Sequence, residues 1–136
     1  MIYQKNYDFS FSGLKTAVLY DFRKREVKER KSKNYIQEMA KEVQQAIIDV
    51  LISKTLRTAK EFKAKSIILG GGVATSEELR RQFKKRIDME LERVNFLVPL
   101  PEFCTDNAVM IALTTFLNRK KIKKLALIKA DANLKI

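Results

Sequence analysis

Ser66-Ile67-Ile68-Leu69-Gly70-Gly71-Gly72-Val73-Ala74-Thr75-Ser76-Glu77-Glu78-Leu79-Arg80 is the stretch that decides the fold. Its apolar start, rich in β-branched residues, reads as a buried strand over 66–69. Three of the chain's four glycines follow at once. Thr75, with Glu78 three positions on, predicts a capping box that opens a helix. Glycines admit positive φ and close backbone approach, and a helix start offers unpaired N–H groups. That combination suits a nucleotide or another anion, and an ordinary strand-to-helix turn fits the same letters. The spacing is neither the dinucleotide fingerprint nor a phosphate-binding P-loop.

Working outward, residues 34–62 predict a long helix. Ile36, Met39, Val43, Ile47, Val50 and Leu51 keep the three-and-four spacing of a core-facing stripe. A charged amphipathic helix is expected over 76–92, and a second short strand over 94–98, stopped by Pro99 and Pro101. Strand, helix and strand joined by a crossover of about two dozen residues imply parallel strands in an α/β unit. Toward the N-terminus, residues 7–12 alternate aromatic and polar side chains, the period of a half-buried strand. Phe9 and Phe11 would share its core face, and a helix over 14–27 would follow Gly13. Beyond the prolines, Cys104-Thr105-Asp106-Asn107 opens a helix that Thr105 or Asp106 can cap, with Ala108, Ile111, Ala112, Thr115 and Phe116 available to pack. Leu125-Ala126-Leu127-Ile128 reads as a final strand or a docked arm. Two or three strands are few for a parallel sheet, which normally has both faces covered.

At 136 residues and 46% hydrophobic, the chain can bury one core and is read as a single domain, 1–136. It carries no apolar run of the roughly 20 residues that span a bilayer and no signal-like start, so the reading is a cytoplasmic protein without membrane contact. A single cysteine, Cys104, agrees with a reducing compartment. There is no histidine, which removes the commonest metal ligand and neutral-pH acid–base group. The formal charge of +12 is concentrated in two segments: Lys15, Arg23, Lys24, Arg25, Lys28, Arg30, Lys31 and Lys33, then Arg119, Lys120, Lys121, Lys123 and Lys124. Such segments attract phosphate backbones.

Three stretches together resemble one family, the TsaD/Gcp-type tRNA threonylcarbamoyladenosine transferases, once labelled glycoproteases or O-sialoglycoprotein endopeptidases. Residues 8–16, DFSFSGLKT, look like the family's motif unchanged; Gly70-Gly71-Gly72-Val73-Ala74 looks like its GGGVA; and Cys104-Thr105-Asp106-Asn107, then Ala108, looks like its CTDNA. Carbamoyltransferases and sugar kinases share the strand–glycine–helix element but not the other two motifs as a pair.

The resemblance implies the C-terminal lobe of an actin-like ATPase (ASKHA) fold, helix-rich with a small and incomplete sheet. The family's N-terminal lobe, with its HxxxH metal motif, is absent from this sequence, so the chain reads as a C-terminal lobe fragment. The implied reaction moves a threonylcarbamoyl group from its ATP-derived adenylate to the adenosine beside the anticodon of tRNA. Implied partners are tRNA, that adenylate and other proteins of the threonylcarbamoyladenosine pathway. Residue by residue, Gly70, Gly71, Gly72 and Ser76 would meet the nucleotide, with Ser76 standing where the family carries an amide-bearing Asn. Asp106 would be one ligand of an Fe or Zn ion whose histidines lie in the absent lobe. The fragment alone is therefore expected to be inactive, without its metal, and to self-associate through the exposed 7–12 strand. The alternative is a non-catalytic basic module that binds RNA or a partner protein. No residue is singled out as a catalytic nucleophile, and Cys104 is read as packing.

Overall fold

The computed structural model describes residues 2–121. Two short parallel strands, β1 (Ser66–Ile68) and β2 (Asn95–Leu97), pair in the register Ser66↔Asn95, Ile67↔Phe96 and Ile68↔Leu97. Around them run α1 (Ser12–Lys24), α2 (Val27–Arg30), α3 (Lys33–Glu61), α4 (Glu77–Glu90) and α5 (Ala108–Leu117). The predicted long helix, glycine turn and parallel crossover are all present.

α3 begins at Ser32, whose hydroxyl accepts from Tyr35 N at 3.2 Å. It ends where Lys63 turns left-handed, at φ 50, and Ala64 N bonds back to Ala59 O. The core lies where Ile48, Ile52, Leu56 and Ala59 of α3 meet Leu79, Phe83 and Ile87 of α4 over Ile67 of β1. Steps of four and three keep each set on one helical face. Phe83 stacks on Phe96 with ring centroids 5.7 Å apart, which ties the crossover helix to β2.

The buried stripe of α3 is rotated from the one its spacing predicts. Only Val50 of the predicted set is buried; Ile36 is exposed, and Val43, Ile47 and Leu51 line an open groove. Periodicity finds an apolar face but not which of two neighbouring apolar faces the partner helix covers. Ile48, Ile52 and Leu56 lie one residue or more round from the predicted positions, and α4 takes that side.

Among the described residues, the sheet is covered on one face only. Ile67 is buried against the helices, whereas its neighbour Ile68 is 75% exposed and pairs with the exposed Leu97. A second correction concerns residues 7–12, which form no strand. The segment 7–11 has no regular secondary structure, Phe11 sits at φ -112 and ψ 9, and α1 already begins at Ser12. Lys54, buried in the middle of α3, holds this segment: its Nζ donates to Asn6 Oδ1 at 3.0 Å and to the main-chain oxygen of Asp8 at 2.5 Å. Arg57 Nη2 donates to Asn6 O at 2.6 Å, its guanidinium lies over the Tyr7 ring, and the Tyr7 hydroxyl donates to Glu61. Side-chain donors thus take backbone acceptors that a ladder would use, and Phe9 stays half exposed instead of anchoring a core. The strand edge expected to drive self-association is absent.

α5 differs as well. All the residues expected to pack, Ala108, Ile111, Ala112, Thr115 and Phe116, are exposed, and none of the helix is buried among the described residues. The segment 125–128, read as a strand or arm, lies outside the described residues.

Candidate functional site

Both strands point the same way, so the loops that leave their carboxyl ends open at one end of the sheet, where open α/β sheets place ligands. The first of these loops is the glycine turn. Gly71 sits at φ 80, ψ 172, a region essentially reserved for glycine. The chain then makes a 3-10 turn, Gly72–Thr75, before α4 starts. Here the predicted capping box gives way. Thr75 Oγ1 bonds to Gly72 O inside the 3-10 turn, and Ser76 is the residue that caps α4, its Oγ accepting from Leu79 N at 3.4 Å. One extra turn moves the helix start by one residue, so Glu78 falls short of the reciprocal bond and pairs with Arg81 and Gln82.

Among the described residues, none accepts a hydrogen bond from the N–H groups of Gly70, Gly71, Gly72 or Val73. A methyl group built on Gly70 would meet no described residue within 4 Å, so the space outside the turn is open among them. Ser76 and Val73 also rim a groove of about 430 Å³ whose other walls are Val43, Ile47, Ile48, Leu51 and Leu79. Apolar walls with a few polar groups at the mouth suit a flat ring system.

Charge refines the anion reading. Glu77 and Glu78 occupy the first turn of α4. Hydrogen bonds from Arg81 and then Gln82 hold the Glu78 carboxyl down at about 2, so it is ionised at neutral pH. Two carboxylates at that helix start already satisfy the dipole and repel phosphate. The turn suits the base and ribose of a nucleotide better than its phosphates.

Glu78 also makes stability depend on pH. Its folded value lies below its ordinary 4.5, so its contribution is complete above about 4.5 and is lost as pH falls toward about 2. Asp21, lowered chiefly by Arg25, and Glu90, lowered chiefly by Lys60, carry the same sign. Urea midpoints are expected to fall through that window, and E78Q is expected to flatten the fall. An unchanged slope in E78Q contradicts this assignment.

The second loop carries Cys104-Thr105-Asp106-Asn107. Asn107 caps α5, accepting from Met110 N at 3.0 Å while its Nδ2 donates to Thr105 O at 2.8 Å. Neither Thr105 nor Asp106 caps α5, a correction to the predicted start. An amide can satisfy an N–H and a carbonyl at once, which a carboxylate cannot. The Asp106 carboxylate is exposed and takes part in no hydrogen bond or ion pair among the described residues. Cys104 is buried, as its packing role requires.

The two loops lie side by side. A methyl group on Gly72 would lie 3.9 Å from Thr105 Cγ2, ordinary van der Waals distance. Gly70, Gly71, Gly72 and Ser76 therefore share one corner of the molecule with the Asp106 loop. No group of three or more His, Cys, Asp or Glu side chains gathers among the described residues. One carboxylate does not make a metal site, so the described residues do not by themselves fit an Fe or Zn ion.

The sequence profile described as tRNA N6-adenosine threonylcarbamoyltransferase matches residues 1–113. The chain belongs to that family. It is similar to the tRNA N6-adenosine threonylcarbamoyltransferase of Thermosipho africanus, 41% identical over all of this chain and 40% of the relative. It is also 44% identical to that of Fervidobacterium nodosum over 82% of this chain and 32% of the relative, and 42% identical to that of Anoxybacillus flavithermus over 79% and 30%. The chain thus spans between 30% and 40% of the length of these threonylcarbamoyltransferases. Its helix-rich α/β fold with a two-stranded parallel sheet is compatible with a part of a threonylcarbamoyltransferase. Among the described residues, no helix is long and apolar enough to cross a membrane.

The sequence reading missed Arg80, which touches both loops; a cation four residues past a helix cap carries no motif of its own.

Proposed function

We propose that this chain supplies the adenylate-binding wall and one carboxylate for transfer of a threonylcarbamoyl group to an adenosine of tRNA. The observation that carries the reading is the nearness of Gly72 to Thr105, with room for little more than a methyl group between them. It sets the free N–H groups of the glycine turn beside the Asp106 loop, in a chain whose relatives are transferases of that name. In the proposed reaction the exocyclic amine attacks the carbamoyl carbon, the bond to the adenylate phosphate oxygen breaks, AMP leaves and the amine loses a proton.

The groove beside Val73 and Ser76 receives the adenine ring, and glycine-turn N–H groups meet the ribose side of the ligand. Ser76 keeps a hydroxyl proton to donate after accepting from Leu79 N, which is a shorter reach than the amide of the family's Asn. Asp106 offers one hard oxygen ligand toward an Fe or Zn ion whose other donors lie beyond the described residues. The lysine-rich stretch from α1 to the start of α3 faces tRNA phosphate. Within it Asp21 and Glu29 both pair with Arg25, and among the described residues Lys24, Lys28, Lys31 and Lys33 form no ion pair. A cytoplasmic site of action follows from the tRNA substrate, and the other proteins of the pathway complete the set of partners.

With one carboxylate and one wall of the ligand cleft, the chain alone is expected to transfer nothing when given threonine, bicarbonate, ATP, tRNA and the partner proteins. ATP titration followed by backbone amide shifts is expected to move Gly71, Gly72, Val73 and Ser76 weakly. Substantial modified adenosine in that mixture, with no added chain to complete the site, rejects the incomplete-site reading. Perturbations confined to α1 and α2 reject the ligand wall.

A further inference from the structure

Arg80, in the first turn of α4, reaches both loops of the candidate site. Its Nε donates to the main-chain oxygen of Ala74 inside the 3-10 turn, and its Nη2 lies 3.1 Å from Cys104 Sγ. Cys104 is 5% exposed, and its sulfur lies 3.5 Å from Leu100 O and 3.8 Å from Pro99 O. The thiol proton is therefore directed at main-chain oxygen, and the sulfur lone pairs are left to accept from the guanidinium. A planar fork with fixed donors can span two acceptors on different segments, which a lysine cannot do. Ala74 itself is fully buried, so the carbonyl that Arg80 takes belongs to a fixed point of the turn.

We propose that Arg80 is a positioning residue for the candidate site. It clamps the glycine turn, through Ala74 O, to the loop bearing Asp106, through Cys104 Sγ. The separation between the free glycine-turn N–H groups and the Asp106 carboxylate is then set by α4, which Leu79 anchors in the core beside Arg80. Cys104 serves as the clamp's second jaw. The use of the clamp rests on the proposed adenylate transfer; its geometry does not.

The test uses the full chain, with iodoacetamide alkylation of Cys104 and backbone amide shifts as readouts. R80Q is expected to raise the alkylation rate at least about tenfold through local opening. It should also move the amide signals of Gly71 and Gly72 together with those of Thr105 and Asp106. R80K, which keeps the charge but not the fork, is expected to fall between R80Q and the unchanged chain. From the other jaw, C104A is expected to move the Gly72 and Ala74 signals, and C104S, which retains an acceptor, to restore them. An unchanged alkylation rate in R80Q with Thr105 unmoved overturns the clamp. Should R80Q fail to fold, equal glycine-turn shifts in C104A and C104S overturn it instead. An ATP titration that moves no amide in the unchanged chain counts against the adenylate reading alone, because alkylation still decides the clamp.

Discussion

Replacing Phe83 with alanine is expected to lower the unfolding free energy by about 3–5 kcal/mol, the usual loss for a buried aromatic truncation. Phe83 is 2% exposed and stands between α3 and the sheet, stacked on Phe96. The loss combines the transfer of the ring to water, the cavity left behind and the stacked pair. A domain of this size has on the order of 5–15 kcal/mol in all. Ile68 and Leu97 leave the second face of its sheet exposed among the described residues, an arrangement that adds little to stability. F83A is therefore expected to be largely unfolded at physiological temperature. Urea unfolding followed by circular dichroism measures it, and a loss below about 1 kcal/mol would show that the core is not centred on Phe83.

The second large effect belongs to Gly71. At φ 80 and ψ 172 any side chain is strained, although nothing stands within 4 Å of where it would go. G71A is expected to cost about 1–3 kcal/mol from backbone strain alone. G70A is the matched control: its φ is not positive and its space is equally open, so its stability is expected to stay within about 0.5 kcal/mol. Thermal melts of the two variants give the comparison directly. Equal losses would mean that packing, not the dihedral, fixes the glycine.

How far these features were legible in the sequence differs residue by residue. The glycine run, the long α3 and the parallel crossover follow from local chemistry, and each is present. Ser76 and Asn107 were missed as caps because one additional 3-10 turn, or an amide in place of a carboxylate, shifts the cap by a single position. The 7–12 segment failed for a different reason. Alternation describes a chain willing to be a strand, but Lys54 and Arg57, far along the sequence, supply competing donors to its backbone. The α3 stripe failed through ambiguity between two apolar faces. At the site, the motifs named Gly70, Gly71, Gly72, Ser76 and Asp106, and three-dimensional contact brought their loops together. Arg80 gains its place only from the fold, which brings Ala74 O and Cys104 Sγ within its reach.

The parallel pairing of β1 and β2 also governs the order of events when the chain folds. A hairpin can zip from its turn, but these strands are separated by the whole of α4 and meet only after that helix has crossed back. Loop closure must precede the ladder. The early contacts are then those of Ile52 and Leu56 with Leu79 and Phe83, and the ladder from Ser66↔Asn95 to Ile68↔Leu97 closes late. In stopped-flow experiments, truncations at Ile52 are expected to slow folding, whereas truncations at Ile68 or Leu97 mainly hasten unfolding. The strands that display the two loops of the site thus set after the nucleus has formed and are among the first parts to release.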